Sequence, residues 1–461
     1  MLAGKVAALG DGPPPGRQHG LRAQLLRGGI SGLLVRAGAI LAGLVASVVL
    51  ARVMGPETYG VYAFVFSLIS LLGLPVKMGL PTLILRETAR ADQAADGALM
   101  RGIWRWSDRA MVLMAAAVLG LSGAYVWLVA GLDSPRMIAL LCALPLVPLI
   151  GLAEARGAAI RGLRRVALGS APDKILRPLL LAGAVAAVGW VWVVPLTAAD
   201  VYLLHCGVAV VTVIVASVIV TRIRPAHPGA ESPRAMPRAW IAAILPLSAL
   251  AGLQVVNHNT DILMLGSLAI DAEVGLYRVA LSGASIALFG LTTINLVMQP
   301  YFARACGAGN HRQLQRLATV GARLSLMGAL PFLALFWFGG GWLLNMIYGE
   351  AYTGAFWALI LLCFGQVVSA FFGSAGNLLT MSGREWIAAG GLLLSTLVNV
   401  GLNWLLIPRH GIEGAAIATG ISIAVWNIAL WSAAWTTLRV DSSPIGLRRS
   451  PPANLIRART T

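Results

Sequence analysis

The sequence predicts an all-α polytopic membrane protein of about twelve transmembrane helices arranged as two six-helix lobes, and three observations carry that prediction. The first is composition. Of 461 residues, 58% are hydrophobic and only 11% charged, and the mean hydropathy is +0.80, whereas a soluble globular protein carries about 25% charged residues. The second is the recurrence of apolar runs long enough to cross a bilayer at roughly 20 residues each. The third is charge: 35 Lys and Arg against 18 Asp and Glu leave a formal net charge of +17, and the cations gather at alternate ends of the runs.

In chain order, residues 1–28 are basic and rich in Pro and Gly. They lack a continuous apolar stretch before a small-residue cleavage site, so they read as a cytoplasmic tail and not as a removable signal peptide. Apolar runs bounded by charge or by Pro and Gly then fall near 30–53, 60–80, 110–131, 137–155, 178–196 and 201–221. Six more follow near 239–267, 275–300, 318–340, 352–380, 387–407 and 413–437. The expected organisation is an N-terminal lobe over 29–222, a cytoplasmic linker over 223–238, a C-terminal lobe over 239–438 and a basic cytoplasmic tail over 439–461.

Placing both termini in the cytoplasm puts 29 of the 35 cations inside. Three (Arg52, Arg136, Arg409) fall outside and three (Arg36, Lys77, Arg278) fall within spans, as the positive-inside rule requires. The charge is therefore a topology signal and calls for no nucleic-acid partner. The abundance of Arg over Lys, with much Ala and Gly, points to a GC-rich bacterial genome, and the expected location is the bacterial inner membrane. The outer connections are short, leaving no room for the acidic extramembrane domain expected of a membrane glycosyltransferase or polymerase. Cys142, Cys206, Cys306 and Cys363 are scattered without metal-ligand or CxxC spacing and read as free thiols. Walker A, HExxH and GxSxG motifs and paired catalytic carboxylates are missing, so the chain is read as a non-enzyme with no cofactor and no metal.

The two halves share signals at an offset near 215 residues. Leu50–Tyr62 reads LARVMGPETYGVY and Leu265–Tyr277 reads LGSLAIDAEVGLY, so the Gly-aliphatic-Tyr triplets at Gly60–Tyr62 and Gly275–Tyr277 fall in register. Both following helices end at a proline, Pro81 and Pro300. A parallel six-plus-six duplication of this kind places a substrate site between the lobes near the membrane midplane.

Three segments, ARVMGPETYGVYAFVFSL (51–68) with GLPTLILRETAR (79–90), TDILMLGSLAIDAEVGLYRVA (260–280) and IPRHGIEGAAIAT (407–419), resemble the polysaccharide-transport branch of the multidrug/oligosaccharidyl-lipid/polysaccharide exporter superfamily. That branch contains the O-antigen-type flippases of lipid-linked oligosaccharides. In the third segment a proline ends helix eleven and Gly-Ala-Ala lets helix twelve start tightly packed. Lys77 departs from the resemblance, standing where family members often carry a polar or acidic residue before Gly-Leu-Pro.

Ionisable groups inside spans are costly unless they face a cavity or a partner, so each is a candidate site residue. Arg36, about two turns into helix one, is read either as holding a diphosphate or acidic sugar in a central cavity or as snorkelling to the inner headgroups. Arg278, one turn into helix eight, carries the same two readings toward the outer side. Lys77, between Pro75 and Pro81, is weighed as a cavity cation against an interfacial lysine. On helix seven, Gln254, Asn257, His258 and Asp261 recur at three- and four-residue spacing and form one polar stripe. There Asp261 with His258 either binds a coupling proton or sodium ion while the amides contact sugar hydroxyls, or Asp261 belongs to a packing network and pairs with Arg278. Asn399 with Asn403, and Asn295 with Gln299, read as helix-helix glue.

The resemblance implies a flippase whose substrate is a polyprenyl-diphosphate-linked oligosaccharide. Membrane lipids surround it, and polysaccharide polymerase or assembly proteins are the expected downstream partners. Its nearest rivals are a lipid II flippase and a multidrug exporter of the same fold. The rival of another class is a membrane-embedded glycan polymerase or transferase.

Overall fold

The computed structural model describes residues 15–77, 79–130, 134–191, 195–225 and 232–447, among which every regular element is helical. The first half comprises α1 (Pro15–Leu72), α2 (Leu74–Lys77), α3 (Leu80–Gln93), α4 (Gly97–Tyr125), α5 (Pro135–Ala143), α6 (Leu146–Gly162), α7 (Val166–Ala171), α8 (Arg177–Val191) and α9 (Ala198–Ile223). The second comprises α10 (Pro237–Leu268), α11 (Asp271–Gly307), α12 (His311–Tyr348), α13 (Phe356–Phe372), α14 (Ala375–Met381) and α15 (Glu385–Thr437).

Eight helical segments among the described residues are long and apolar enough to cross a membrane. Two of them break part-way and cross twice. The apolar part of α1, Gly32–Leu72, has 41 residues, about 60 Å at 1.5 Å per residue, twice the hydrocarbon thickness. It breaks at Gly55 (φ 74°, ψ 169°), a conformation open to glycine, and Pro56 starts the returning helix. α15 bends likewise at Gly411 (φ 51°, ψ −127°), behind Pro408. Gly414 follows, and a Cβ there would sit 2.7 Å from the Leu406 carbonyl carbon, while Ala415 and Ala416 are fully buried. The Pro, Gly and Gly-Ala-Ala of the third family-like segment thus each have a steric reason. Counting the two bent helices twice and adding α10 and the α7–α8 trace gives twelve crossings.

Several boundaries differ from expectation, and the helix expected to end at Pro300 runs on to Gly307. The fifth crossing starts at Val166, not at 178: α7 continues through a π-helical turn, Pro172–Leu176, into α8. Asp173, Lys174 and Arg177 made this stretch look like a loop, but Asp173 and Arg177 pair at 3.1 Å across one turn, which lets the charges stay in the helix. The connection between the second and third expected spans, 81–109, is split between two elements. α3 is amphipathic, burying Leu83, Ile84 and Ala91 and exposing Arg86 and Arg90, whereas Arg101, Arg105 and Arg109 belong to the start of α4. Helix α1 begins at Pro15, inside the segment read as a tail, and residues 1–14 lie outside the described residues.

The chain after α15 also departs from a simple tail. Residues 438–447 cross the ends of α12 and α13 with Val440, Asp441 and Ser442 fully buried. Asp441 accepts from the Trp431 indole (2.9 Å) and from the Ser443 and Leu447 amides (2.8 and 2.7 Å), and its backbone exchanges two hydrogen bonds with Gln315. Residues 448–461 lie outside the described residues.

The two lobes meet mainly where α1 packs on α11. There the repeat-related glycines are reciprocal. A Cβ on Gly60 would run into the Asp271 carbonyl, and one on Gly275 would run into the carbonyl of Pro56. The triplets read as a repeat therefore mark a close approach of α1 and α11. Helix ends bearing Arg86, Arg101, Arg224, Arg304 and Arg316 share one side, called here the basic side.

Candidate functional site: a polar cavity between the lobes

A cavity of about 430 Å³ lies at this junction. One wall is α1, which turns Ala39, Ile40, Gly43 and Leu44 toward it. The other walls come from α10, α11, α13 and α15. The period of α10 brings Asn257, His258 and Asp261 to the cavity, and α11 contributes Arg278, Ser282 and Ser285. Gln366, Ser395, Asn399 and Thr419 complete a lining rich in amides and hydroxyls.

Asp261 is the most constrained of these groups. Its side chain is only 6% exposed, and four donors reach it. Asn399 Nδ2 (2.8 Å) and Asn403 Nδ2 (2.7 Å) donate to Oδ1, while Tyr277 Oη (3.1 Å) and Thr419 Oγ1 (2.7 Å) reach Oδ2. The expected Asp261–Arg278 ion pair does not form: the amides and hydroxyls of α11 and α15 take the whole carboxylate. Asn403 Oδ1, also buried, has no hydrogen-bond partner among the described residues. Asn399 Oδ1 already accepts from Asn403 Nδ2 at 3.0 Å, so Asn403 Oδ1 is the acceptor left open beside the Asp261 carboxylate.

Arg278 keeps its guanidinium in the cavity and has no ion-pair partner among the described residues. It is the uncompensated cation of the site. Asn257 donates to Thr396 at 2.9 Å, and His258 is exposed to the cavity space.

The remaining sequence candidates are placed differently. Arg36 is exposed and lies on the same face of α1 as Ile40 and Gly43, one turn nearer the basic side, so it stands at the approach to the cavity. Gln254 stands one turn below Asn257 and His258 in the same sense and is also exposed. Lys77 is elsewhere: its ammonium pairs with Glu154 of α6 at 2.8 Å within the N-terminal lobe. Asn399 and Asn403 are more than glue, because both hold Asp261. Asn295 and Gln299 do join helices, accepting from Ser374 and donating to Asn377 respectively.

Several site groups were not singled out from the sequence. Ser282 and Ser285 continue the face of Arg278, and Ser395 that of Asn399 and Asn403, a three- and four-residue spacing that could have found them, whereas Gln366 is a lone amide in an apolar run. Tyr277 and Thr419 had a signal: each closes a family-like motif, Gly-Leu-Tyr and Gly-Ala-Ala-Ile-Ala-Thr. Arg177, hidden by the misplaced boundary, is not among the residues that line the cavity; it lies 11 residues into the α7–α8 trace, about 16 Å from its start.

On the side opposite the basic one, the lobes are bolted together. Arg136 of α5 pairs with Asp271 of α11 at 2.8 Å, donates to the Gly266 carbonyl at 2.8 Å and covers the Phe64 ring. Arg52 donates to the Ile347 carbonyl at 2.7 Å and to that of Met346, and Tyr352 donates to the Ala51 carbonyl at 2.8 Å. Inside these, Ser47 meets Tyr59, Ser282 and Tyr348 in one hydroxyl cluster. Breaking this seal should shift the resting state. Arg136→Ala removes charge-assisted bonds worth about 1–2 kcal/mol, so the population open on that side should rise about 5- to 30-fold. The check is labelling of Ser282→Cys, in a background without the four native cysteines, by a membrane-impermeant thiol reagent added from that side.

This arrangement of helices has known counterparts. The model of the family described as polysaccharide biosynthesis protein matches residues 25–306, more than half of the chain. The chain belongs to the polysaccharide biosynthesis protein family. It is the family that the three motif segments resembled. A second family model, MatE, matches residues 246–405, within the lobe that holds Asp261 and Arg278.

Among curated proteins this family member is 23% identical over 189 residues to a probable low-salt glycan biosynthesis flippase of Haloferax volcanii, covering 40% of each chain. It is 24% identical over 182 residues to an uncharacterized membrane protein of Methanocaldococcus jannaschii, covering 39% of this chain and 36% of that one. The matches thus span less than half the length of these relatives. Among solved structures, an inward-facing multidrug resistance MATE family transporter of the MOP superfamily superposes with TM-score 0.73 at 15% identity, over 89% of this chain and 99% of the other. The lipid II flippase MurJ in an inward closed conformation gives 0.70 at 11% identity, over 88% and 87%. A MOP superfamily transporter of Pyrococcus furiosus, described as having a binding pocket of reverse polarity, gives 0.62 at 14%, over 90% and 95%. These likenesses establish the fold: a MOP-type bundle of membrane-spanning helices.

Proposed function

We propose that this protein is a flippase that carries polyprenyl-diphosphate-linked oligosaccharide units across the bacterial inner membrane for surface or exopolysaccharide assembly. The observation that carries the proposal is the cavity itself: an unpaired guanidinium, Arg278, in a lining of amides and hydroxyls between two lobes. The cation suits a diphosphate, and the amides and hydroxyls suit sugar hydroxyls. A polar head cannot cross hydrocarbon unaided, whereas its lipid tail can stay there. The protein then needs only to shelter the head while the lobes rock about their α1–α11 contact.

The same cavity disfavours an exporter of organic cations, for which Arg278 would be repulsive. The family membership supports glycan biosynthesis as the setting, and the flippase of Haloferax volcanii supports translocation as the step. The basic side faces the cytoplasm, together with both termini, and the Arg136 seal faces outward. In this reading the cavity in the present conformation loads from the cytoplasm past Arg36 and Gln254. Asp261, Asn399, Asn403 and Thr419 hold a coupling cation, sodium or a proton, with His258 beside them. No bond of the glycan changes, and a polymerase or transferase receives it on the outer face.

Depleting the protein in its native host tests this. Completed lipid-linked units should accumulate on the cytoplasmic leaflet. Units that reach the outer leaflet but stay unpolymerised would instead assign an enzymatic role.

A further inference from the structure

A second cavity, of about 240 Å³, opens at the basic ends of α4, α6 and α9, away from the site between the lobes. Helices α4 and α9 each pack on α6 far more than on one another, so α6 forms the floor of a cleft between them. Arg101, Arg105, Arg156 and Arg224 line its mouth with Trp104, and Asp108 is the single acid. Asp108 is already used: its two oxygens accept from Arg156 at 3.0 and 2.9 Å, which fixes that guanidinium in the cleft floor. Arg105 and Arg224 are exposed and have no ion-pair partner among the described residues. The lining therefore holds four arginines against one acid, and two of the arginines, Arg105 and Arg224, are exposed.

Directly toward the membrane interior, the same two helices turn apolar side chains outward. Val112 and Leu113 on α4 are 57% and 70% exposed, and Val211, Ile214 and Val218 on α9 are 45%, 56% and 42% exposed. Arg105, Arg109 and Val112 follow one face of α4, and Val211, Ile214, Val218 and Thr221 follow one face of α9. A cationic mouth thus leads into a hydrocarbon-lined cleft at the depth where headgroups meet acyl chains. A free anion would use only the first part and a neutral lipid only the second.

We propose that this cleft is a binding site for one anionic glycerophospholipid of the leaflet on the basic side. Its phosphodiester sits among Arg101, Arg105 and Arg224, with the Thr221 hydroxyl and the Trp104 ring at the rim. Its acyl chains fill the cleft between α4 and α9. Basic pockets between membrane helices at this level select anionic lipids, at about 1 kcal/mol per arginine. The site anchors the N-terminal lobe at a fixed depth, and it does not depend on which head occupies the central cavity.

The test is native mass spectrometry of the delipidated full chain titrated with phosphatidylglycerol, phosphatidylcholine, inorganic phosphate or polyprenyl diphosphate. Wild type should bind a first phosphatidylglycerol well ahead of any phosphatidylcholine. The double variant Arg105→Gln, Arg224→Gln should weaken that first step about 30-fold, whereas Arg105→Lys, Arg224→Lys should stay within a few-fold of wild type. Both variants should bind phosphatidylcholine as wild type does, which confirms that they are folded. Equal affinity of wild type and the Gln variant for phosphatidylglycerol would overturn the site. Displacement of the lipid by millimolar inorganic phosphate, or by polyprenyl diphosphate at equal affinity, would overturn the assignment to a phospholipid.

Discussion

Replacing Asp261 with asparagine is expected to reduce transport at least about 100-fold and to remove its dependence on an ion gradient, with the protein still inserted in the membrane. The substitution keeps the shape but discharges the only carboxylate in the lining of the central cavity. Asn399, Asn403, Tyr277 and Thr419 all converge on that carboxylate, and an amide in its place sets an N–H against groups oriented to donate. Hydrogen bonds to a charged group contribute about 1.5–3 kcal/mol each, so losing two of them accounts for a factor of 100 or more. Measuring initial transport rates with and without sodium and proton gradients separates the two roles of Asp261. A merely structural carboxylate would lower the amount of folded protein without changing its response to the gradients.

Arg278 carries the second large effect. Arg278→Gln should weaken binding of the lipid-linked head about 100-fold, and Arg278→Lys should recover part of it, because lysine keeps the charge but not the planar fork. The loss should appear as a raised half-saturation concentration, with a smaller change in maximal rate. Titrating the detergent-solubilised protein with a polyprenyl diphosphate that carries no sugar checks the assignment to the diphosphate. If wild type and Arg278→Gln bind that probe equally, the guanidinium serves another purpose.

These expectations rest on features with unequal traces in the sequence. The spans were legible because bilayer thickness imposes a length on every apolar run, and the arginines at alternate ends marked where one run stopped and the next began. The lobe contact was legible in Gly60 and Gly275, since only residues without a Cβ let α1 and α11 approach so closely. On α10 the helical period alone collected Asn257, His258 and Asp261 onto one face.

Partners were less legible than positions. Asp261 is held by Asn399 and Asn403, about 140 residues later, and nothing local distinguishes those amides from ordinary interhelical glue. Lys77 stood out as a charge in a span, but only the packing of α2 near α6 revealed Glu154 as its counter-ion. Arg177 was hidden because charged residues in a helix look like a loop until the pairing that keeps them there is seen. The docked segment 438–447 left no trace of another kind: its ten residues carry no period, and their order comes from long-range bonds to Gln315, Phe372 and Trp431.

The most direct test of a flippase is movement of the head between leaflets by the purified protein alone. Vesicles containing it would be loaded with a polyprenyl-diphosphate oligosaccharide whose sugar can be cleaved or oxidised only from outside. With an ion gradient imposed, the protected inner pool should become accessible in wild type, and stay protected with Asp261→Asn or Arg278→Gln. An inner pool that remains protected with wild-type protein, or that becomes accessible equally with both variants, would contradict the assignment of this cavity as the path of the glycan.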